Sequence, residues 1–103
     1  METVVAFHVQ QVIEKALKAV IVHHGGNPPR VHDLPRLAAL VREHEPTADL
    51  DLDTLERVTQ YYIESRYPVT VETPTVRVPS KDEIESMVSF GKSILAWART
   101  RIG

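Results

Sequence analysis

The stretch HHGGNPPRVHDLP, from His23 to Pro35, holds the densest group of side chains able to do chemistry in this sequence. Histidine moves protons near neutral pH, and arginine holds phosphate oxygens with a planar charged fork. Glycine and proline keep the stretch out of regular structure. The residue types therefore predict either a functional site or the corner between two helices.

Metal-free cleavage of a phosphodiester is one chemistry that such residues permit. It needs a base for the 2′-hydroxyl, an acid for the leaving oxygen and donors for the charge developing on phosphorus. His32 and Arg66 are candidates for these roles. Alternatively, His32 binds a nucleotide without cleaving it or only supports the start of the next helix with Asp33, and Arg66 only closes a helix. The residues predicted to contact nucleotide or phosphate are Lys15, Arg30, His32, Arg66 and Tyr67.

A metal centre is not predicted. The chain has no cysteine, which excludes thiolate ligands. His23 and His24 are adjacent, so on a helix they point about 100° apart, whereas a two-histidine zinc site uses positions four apart. We therefore expect neither a metal nor another cofactor.

Two polar features of the first segment have structural interpretations. Gln10 points into an otherwise apolar arc, which predicts a buried amide bonded to a neighbouring helix or to a second copy of the chain. Glu14 and Lys18 are four residues apart in the favourable order, which is typical of a solvated ion pair on a helix surface.

Length and composition indicate a single small domain spanning residues 1–103. The net charge of −2 is not the basic signature of non-specific nucleic-acid binding. No apolar run reaches the ~18 residues of a membrane span, and the N-terminus lacks the basic region of a signal peptide. These features predict a cytoplasmic protein.

Helical periodicity and the positions of proline and glycine divide the chain into four amphipathic segments. The predicted helices run from Thr3 to His24, from Asp33 to about Glu45, from a capping box at Asp53 and Glu56 to just before Pro68, and from a capping box at Ser80 and Glu83 to about Arg101. The segment 69–79 is predicted to be a loop rather than a hairpin. This pattern predicts an all-α, up-and-down antiparallel bundle of four helices.

The first predicted helix is apolar over most of its circumference. Its polar residues His8, Gln11, Lys15 and Lys18 form one narrow stripe. A helix of this kind must be covered from several sides, which makes it the central helix of the bundle. Three partner helices would leave part of the arc uncovered, so we expect a homodimer with this helix near its axis.

Two sequence blocks resemble the HEPN (higher eukaryotes and prokaryotes nucleotide-binding) domain family, in its prokaryotic branch. The first is FHVQQVIEKALKAVIVHHGGNPPRVHDLPRLAAL, from Phe7 to Leu40. It is similar to the family pattern Phe-His-x-Gln-Gln-x-x-Glu-Lys-x-x-Lys, followed by a proline-rich turn and His-Asp-Leu. The second, YYIESRYP, from Tyr61 to Pro68, is similar to a Tyr-x-x-x-Arg-Tyr-Pro block at the end of a helix.

The resemblance implies a helical fold, homodimerisation and nucleotide binding. It also implies a partner, since such proteins are often paired with a separate minimal nucleotidyltransferase in a toxin–antitoxin-like arrangement. Some members of the family are metal-independent ribonucleases, which is the alternative function. Only six residues precede Phe7, so we expect either that the family's usual first helix is missing or that the chain begins downstream of the usual start.

The ribonuclease members carry an arginine, four to six further residues and then a histidine, and this spacing is not found here. Arg30 lies too close to His32, and Arg36 lies too far from His44. Lys18 has the spacing to His24, but lysine is not a planar bidentate donor. An enzymatic function would therefore require His32 and Arg66 to meet in space, within one chain or across a dimer.

Overall fold

The computed structural model describes residues 2–66 and 80–102, except for the side chains of residues 2, 3 and 62–66. This part of the chain forms four helices: α1 (Glu2–His23), α2 (Leu34–His44), α3 (Leu52–Arg66) and α4 (Lys81–Ile102). The predicted all-α helical bundle is confirmed. The predicted loop at 69–79 lies outside the described residues.

α1 ends where its glycines predicted. Gly25 has φ +84°, a left-handed conformation that glycine adopts without strain. The amides of Gly25 and Gly26 donate to the carbonyls of Val22 and Ile21, each at 2.9 Å. These bonds satisfy carbonyls of the last helical turn and redirect the chain toward α2.

Asp33 caps α2, as predicted. Its backbone is extended, and its carboxylate accepts a hydrogen bond from the Arg36 amide at 3.2 Å. Pro35 lies in the first turn, where its missing N–H has no helical partner. The loop 24–33 therefore leads into α2 through a conventional N-cap.

Replacing Asp33 with alanine is expected to lower the free energy of unfolding by about 1 kcal/mol, because the Arg36 amide loses its acceptor. Urea denaturation followed by circular dichroism measures the change. Asp49→Ala, at an exposed position between α2 and α3, is the matched control and should leave stability within about 0.5 kcal/mol of the wild type. Equal losses in both variants would contradict the capping role.

The two predicted capping boxes have different outcomes. At α4 the box is confirmed: the Ser80 amide donates to the Glu83 carboxylate at 3.2 Å, and the Glu83 amide donates to the Ser80 hydroxyl at 3.1 Å. At α3 the box of Asp53 and Glu56 is wrong. The cap is Asp51, because it directly precedes the first helical residue and so accepts from the Thr54 amide at 3.1 Å.

Contacts at the helix ends give the direction of each helix. His24, just after α1, bonds Glu45, just after α2, with Nε2 and Oε2 2.8 Å apart. At the other end of α2, the Leu34 amide donates to Thr59 in the middle of α3. α2 therefore runs parallel to α1, and α3 runs against both. The loop 24–33 allows this parallel order because it carries the chain back along α1 before α2 begins.

α4 runs in the same direction as α1. Its first turn meets α3, where the Tyr61 hydroxyl donates to Glu83, and its last turn carries Arg101, whose Nε lies 3.2 Å from Glu45. Among the described helices, α3 is thus antiparallel to its packing neighbours α1 and α2, whereas the predicted alternation does not extend to α1–α2.

α1 is the central helix, as predicted. It packs against each of the other three described helices. Its fully buried side chains include Ile13, Leu17 and Val20. The core residues from the other helices are Leu34, Leu37, Ala38, Val41, Leu55, Val58, Tyr61, Met87, Ile94 and Ala98.

Candidate functional site

A buried carboxylate holds an exposed histidine at the side of α1. Glu14 Oε1 lies 2.7 Å from Nδ1 of His32, a residue of the loop between α1 and α2. The Glu14 side chain is 8% exposed and the His32 side chain 55% exposed. The pair therefore joins a fixed charge in the interior to an imidazole that solvent reaches.

Successive turns of α1 supply the groups around this carboxylate. Gln10 Nε2 lies 2.9 Å from Glu14 Oε1 and 3.2 Å from the His32 carbonyl oxygen, so its amide donates to both. Lys18 Nζ donates to Glu14 Oε2 at 3.1 Å. Gln11 in turn donates to the Gln10 side-chain oxygen at 2.6 Å. The spacing of four residues places Gln10, Glu14 and Lys18 in one row facing the loop.

The Glu14 carboxylate is stabilised as an anion. Burial raises the pKa of this group, but hydrogen bonds from Gln10, His32 and Lys18, together with the charge of His32, outweigh burial and hold the pKa below its ordinary value of 4.5. At neutral pH, Glu14 is therefore an acceptor only, with donors on both oxygens.

A cleft opens beside the exposed face of this pair. It has a volume of about 310 Å³ and is lined by His32, Asp33, Glu56, Thr59 and Gln60. Its size lies at the lower end of small-ligand sites. The lining offers mostly hydrogen-bond acceptors, and its two carboxylates would repel a phosphate placed directly between them. Ribose hydroxyls and base amino groups suit this cleft better than a phosphate does.

The predicted nucleotide-contacting residues fall into different places. Arg30 is exposed in the same loop as His32. Lys15 is exposed on another side of α1, next to α4 rather than next to the cleft. Arg66 is the last residue of α3, two turns beyond Thr59, and its side chain lies outside the described part. Tyr67 lies outside the described residues altogether.

Glu14 has a different environment from the one its spacing predicted. The ion pair with Lys18 is present, but its interpretation as a solvated surface pair is wrong, because the loop covers Glu14. The buried, bonded Gln10 amide is confirmed. A usable signal was present in the sequence: Gln10 and Glu14 are two polar residues four apart, and both lie outside the polar stripe of α1.

A second notable feature is an apolar surface formed by α1 and α4, here called the α1–α4 surface. Adjoining clefts of about 360 and 340 Å³ run along it, and Val12 and Leu95 line both. Val12 is 41% exposed and Ile102 45% exposed. Its central rows repeat every seven residues: Val5, Val12 and Ala19 on α1, and Val88, Leu95 and Ile102 on α4.

The remaining histidines pack near helix ends or lie at the surface. His24 and His44 stack with ring centres 5.3 Å apart, and His24 also bonds Glu45. His8 is exposed beside Phe7. Among the side chains that the structure describes, those of residues 4–61 and 80–102, no group of three His, Cys, Asp or Glu is placed to hold a metal ion.

Comparison with known proteins identifies one family. The model of the HEPN domain matches residues 2–101, nearly the whole chain. No curated protein and no solved structure matches the sequence. In the described part of the chain, none of the helices has the length and apolar character needed to cross a bilayer.

Proposed function

The chain belongs to the HEPN domain family, and on this premise we propose that it is a cytoplasmic binding and interaction module of the prokaryotic branch. In this proposal it forms a homodimer through the α1–α4 surface and takes a nucleotide or RNA at the His32 cleft. The family match supports a function that involves nucleotides or RNA. The α1–α4 surface supports the homodimer, and the His32 cleft supports the nucleotide or RNA site.

The α1–α4 surface is the observation that carries the proposed homodimer. Val12 and Ile102 are both more than two-fifths exposed. Both are apolar, and each lies beside core residues of its own helix, such as Ile13 on α1 and Ala98 on α4. Apolar rows repeating every seven residues are what one helix presents to another. A second copy would remove this surface from water and cover more of the apolar arc of α1.

The His32 cleft supports the nucleotide or RNA contact. The exposed imidazole stands at its edge, and the acceptors of Asp33, Glu56 and Thr59 line its wall. A ribose or base bound there would leave its phosphate outside the acidic wall, and the exposed Arg30 of the same loop is the proposed phosphate contact.

A minimal nucleotidyltransferase is the proposed protein partner, in a toxin–antitoxin-like pair. The sequence resemblance to the prokaryotic branch supports this partner. Co-expression with a nucleotidyltransferase encoded by an adjacent reading frame should yield a complex by size-exclusion chromatography. Separate elution of the two proteins at micromolar concentration would count against the pairing.

A metal-independent ribonuclease is the second candidate function. The specific observation in its favour is the contact of Glu14 with His32, because a carboxylate behind an exposed histidine is an arrangement used by general bases. His32 and Arg66 are the proposed catalytic residues of this alternative.

One experiment tests both functions at the cleft. Labelled single-stranded RNA is incubated with EDTA-treated protein, and its fluorescence anisotropy and its length on a gel are followed in the same samples. His32→Ala should weaken RNA binding about five- to tenfold through a lost hydrogen bond and should abolish any cleavage seen with the wild type.

His8→Ala is the matched control, because His8 is exposed on the α1–α4 side of the helix. Binding without cleavage by the wild type would support the module, and cleavage that needs His32 would support the ribonuclease. If His32→Ala binds and cleaves RNA as the wild type does, the cleft is excluded as the site of RNA binding and as the site of cleavage.

A further inference from the structure

We infer that phosphate chains regulate the homodimer, because they bind where the cationic borders of two α1–α4 surfaces meet. This inference rests on the proposed homodimer and adds to it a ligand site that one copy alone does not complete. The site is separate from the His32 cleft. The observation that carries it is the charge of the residues that border the α1–α4 surface.

The ionisable residues along the α1–α4 surface are all of basic type. They are His8, Lys15, Lys92 and Arg99. In the described part of the chain, no aspartate or glutamate lines either cleft of this surface. The whole sequence nevertheless has 14 Asp and Glu against 12 Lys and Arg. The basic residues are therefore concentrated on this face of a chain whose net charge is negative.

A third cleft continues the basic border toward the C-terminal ends of α1 and α4. It has a volume of about 450 Å³, shares Lys15 and Ile102 with its neighbour, and adds Lys18 and His23 to the border. Lys18 is compensated by its ion pair with Glu14. The cations that a ligand would neutralise are therefore those on either side of the central apolar rows.

Three of these cations have no carboxylate of their own chain beside them. Lys15, Lys92 and Arg99 are exposed, and none of them forms an ion pair with another side chain that the structure describes. Lysine ammonium and arginine guanidinium groups are the donors with which proteins hold phosphate oxygens. All three remain available to an anion from outside.

A homodimer brings these cations together, because a two-fold interface uses the same surface of both copies. Positive charges from the two borders then approach one another, and this repulsion opposes association over a screening distance of about 10 Å in 0.1 M salt. A phosphate chain carries several negative charges and neutralises cations of both copies at once. Its binding therefore favours the dimer, and dimer formation strengthens its binding by the same factor.

Sedimentation velocity of the full chain measures the dissociation constant of the dimer with and without two probes, sodium tripolyphosphate and a short oligouridylate. Each probe is in excess over the protein, and sodium chloride keeps the ionic strength equal in all samples. We expect the dissociation constant to fall at least about tenfold with a phosphate chain. A response to both probes indicates phosphate chains in general. A response to oligouridylate alone indicates a nucleic-acid backbone, and a response to tripolyphosphate alone indicates a chain of nucleotide size.

The double variant Lys92→Gln/Arg99→Gln assigns the response to the border. With less repulsion between the copies, it should dimerise at least about threefold more tightly than the wild type in the absence of a probe, and it should lose most of the response to phosphate chains. Arg36→Gln/Arg57→Gln is the matched control, because it removes the same charge from exposed positions of α2 and α3. The control should respond to the probes as the wild type does.

The inference is overturned if neither phosphate chain lowers the dissociation constant of the wild type, or if Lys92→Gln/Arg99→Gln responds to the probes as the control variant does. It is also overturned if, without a probe, the dimer of this variant is no tighter than that of the control. In each of these cases the homodimer itself would stand. A wild type that stays monomeric in every sample would instead refute the homodimer, and the composite site with it.

Discussion

Glu14→Ala is expected to unfold with a free energy about 3–5 kcal/mol below that of the wild type. Removing one partner of a buried, charged hydrogen-bond network leaves the others without compensation. Here the amide of Gln10, which is fully buried, and the ammonium of Lys18 would lose their common acceptor. The loop would also lose its contact from His32 to α1. Urea denaturation followed by circular dichroism measures the difference.

Two control variants separate the network from the helix itself. Glu14→Gln preserves size and part of the hydrogen bonding, so its loss should be smaller, about 1–3 kcal/mol. Lys15→Ala changes the neighbouring exposed residue and should stay within about 0.5 kcal/mol of the wild type. A Glu14→Ala loss no larger than that of Lys15→Ala would show that the network contributes little.

The same carboxylate gives the stability a defined pH dependence. Because the folded-state pKa of Glu14 lies below 4.5, the unfolded chain binds its proton first as the pH falls. The contribution of Glu14 is fully present above pH 4.5 and is lost as the pH falls through the folded-state pKa. The free energy of unfolding of Glu14→Gln should therefore fall less steeply between pH 4.5 and 2.5 than that of the wild type.

Val12→Lys is expected to convert the proposed dimer into a monomer, with a dissociation constant at least about 100-fold higher. Val12 lies at the centre of the α1–α4 surface. A lysine there would place an unpaired charge in an apolar contact, which costs several kcal/mol. It would also add a cation beside Lys15, Lys92 and Arg99, which already border this surface.

Multi-angle light scattering and sedimentation velocity across micromolar concentrations measure the change. The monomer should keep its fold, because Val12 is exposed on the single chain and lysine is a good helix former. Ala39→Lys, at an exposed position of α2, is the matched control and should remain dimeric. A monomeric wild type would refute the homodimer, and a dimeric Val12→Lys would exclude the α1–α4 surface as its interface.

The helix ends illustrate what local sequence can predict. Gly25, Asp33 and the Ser80–Glu83 box act through hydrogen bonds to residues at most four positions away, so their types predicted the boundaries of α1, α2 and α4. At α3 the local pattern predicts Asp53 as the N-cap, whereas the cap is Asp51. Aspartates two residues apart offer equivalent caps, and the choice depends on where the preceding chain enters the helix.

The direction of α2 illustrates what local sequence leaves open. The glycines and prolines of the loop 24–33 predict a corner, but they do not determine how far the chain travels back before α2 begins. That distance is set by contacts with α1 and α3, such as the bond from Gln10 to the His32 carbonyl and the bond from the Leu34 amide to Thr59. Packing of α2 along α1 then brings Glu45 to His24.

The four helices, the central place of α1 and the family can be predicted from the amino-acid sequence alone, because periodicity, caps and residue blocks act over short spans of chain. The sequence also indicates His32 as a candidate. The contact of Glu14 with His32, eighteen residues away along the chain, follows only from the fold. The loop covers this carboxylate. Glu14 therefore does not form a solvated surface ion pair with Lys18; it is a buried anion that bonds Gln10, Lys18 and the exposed His32.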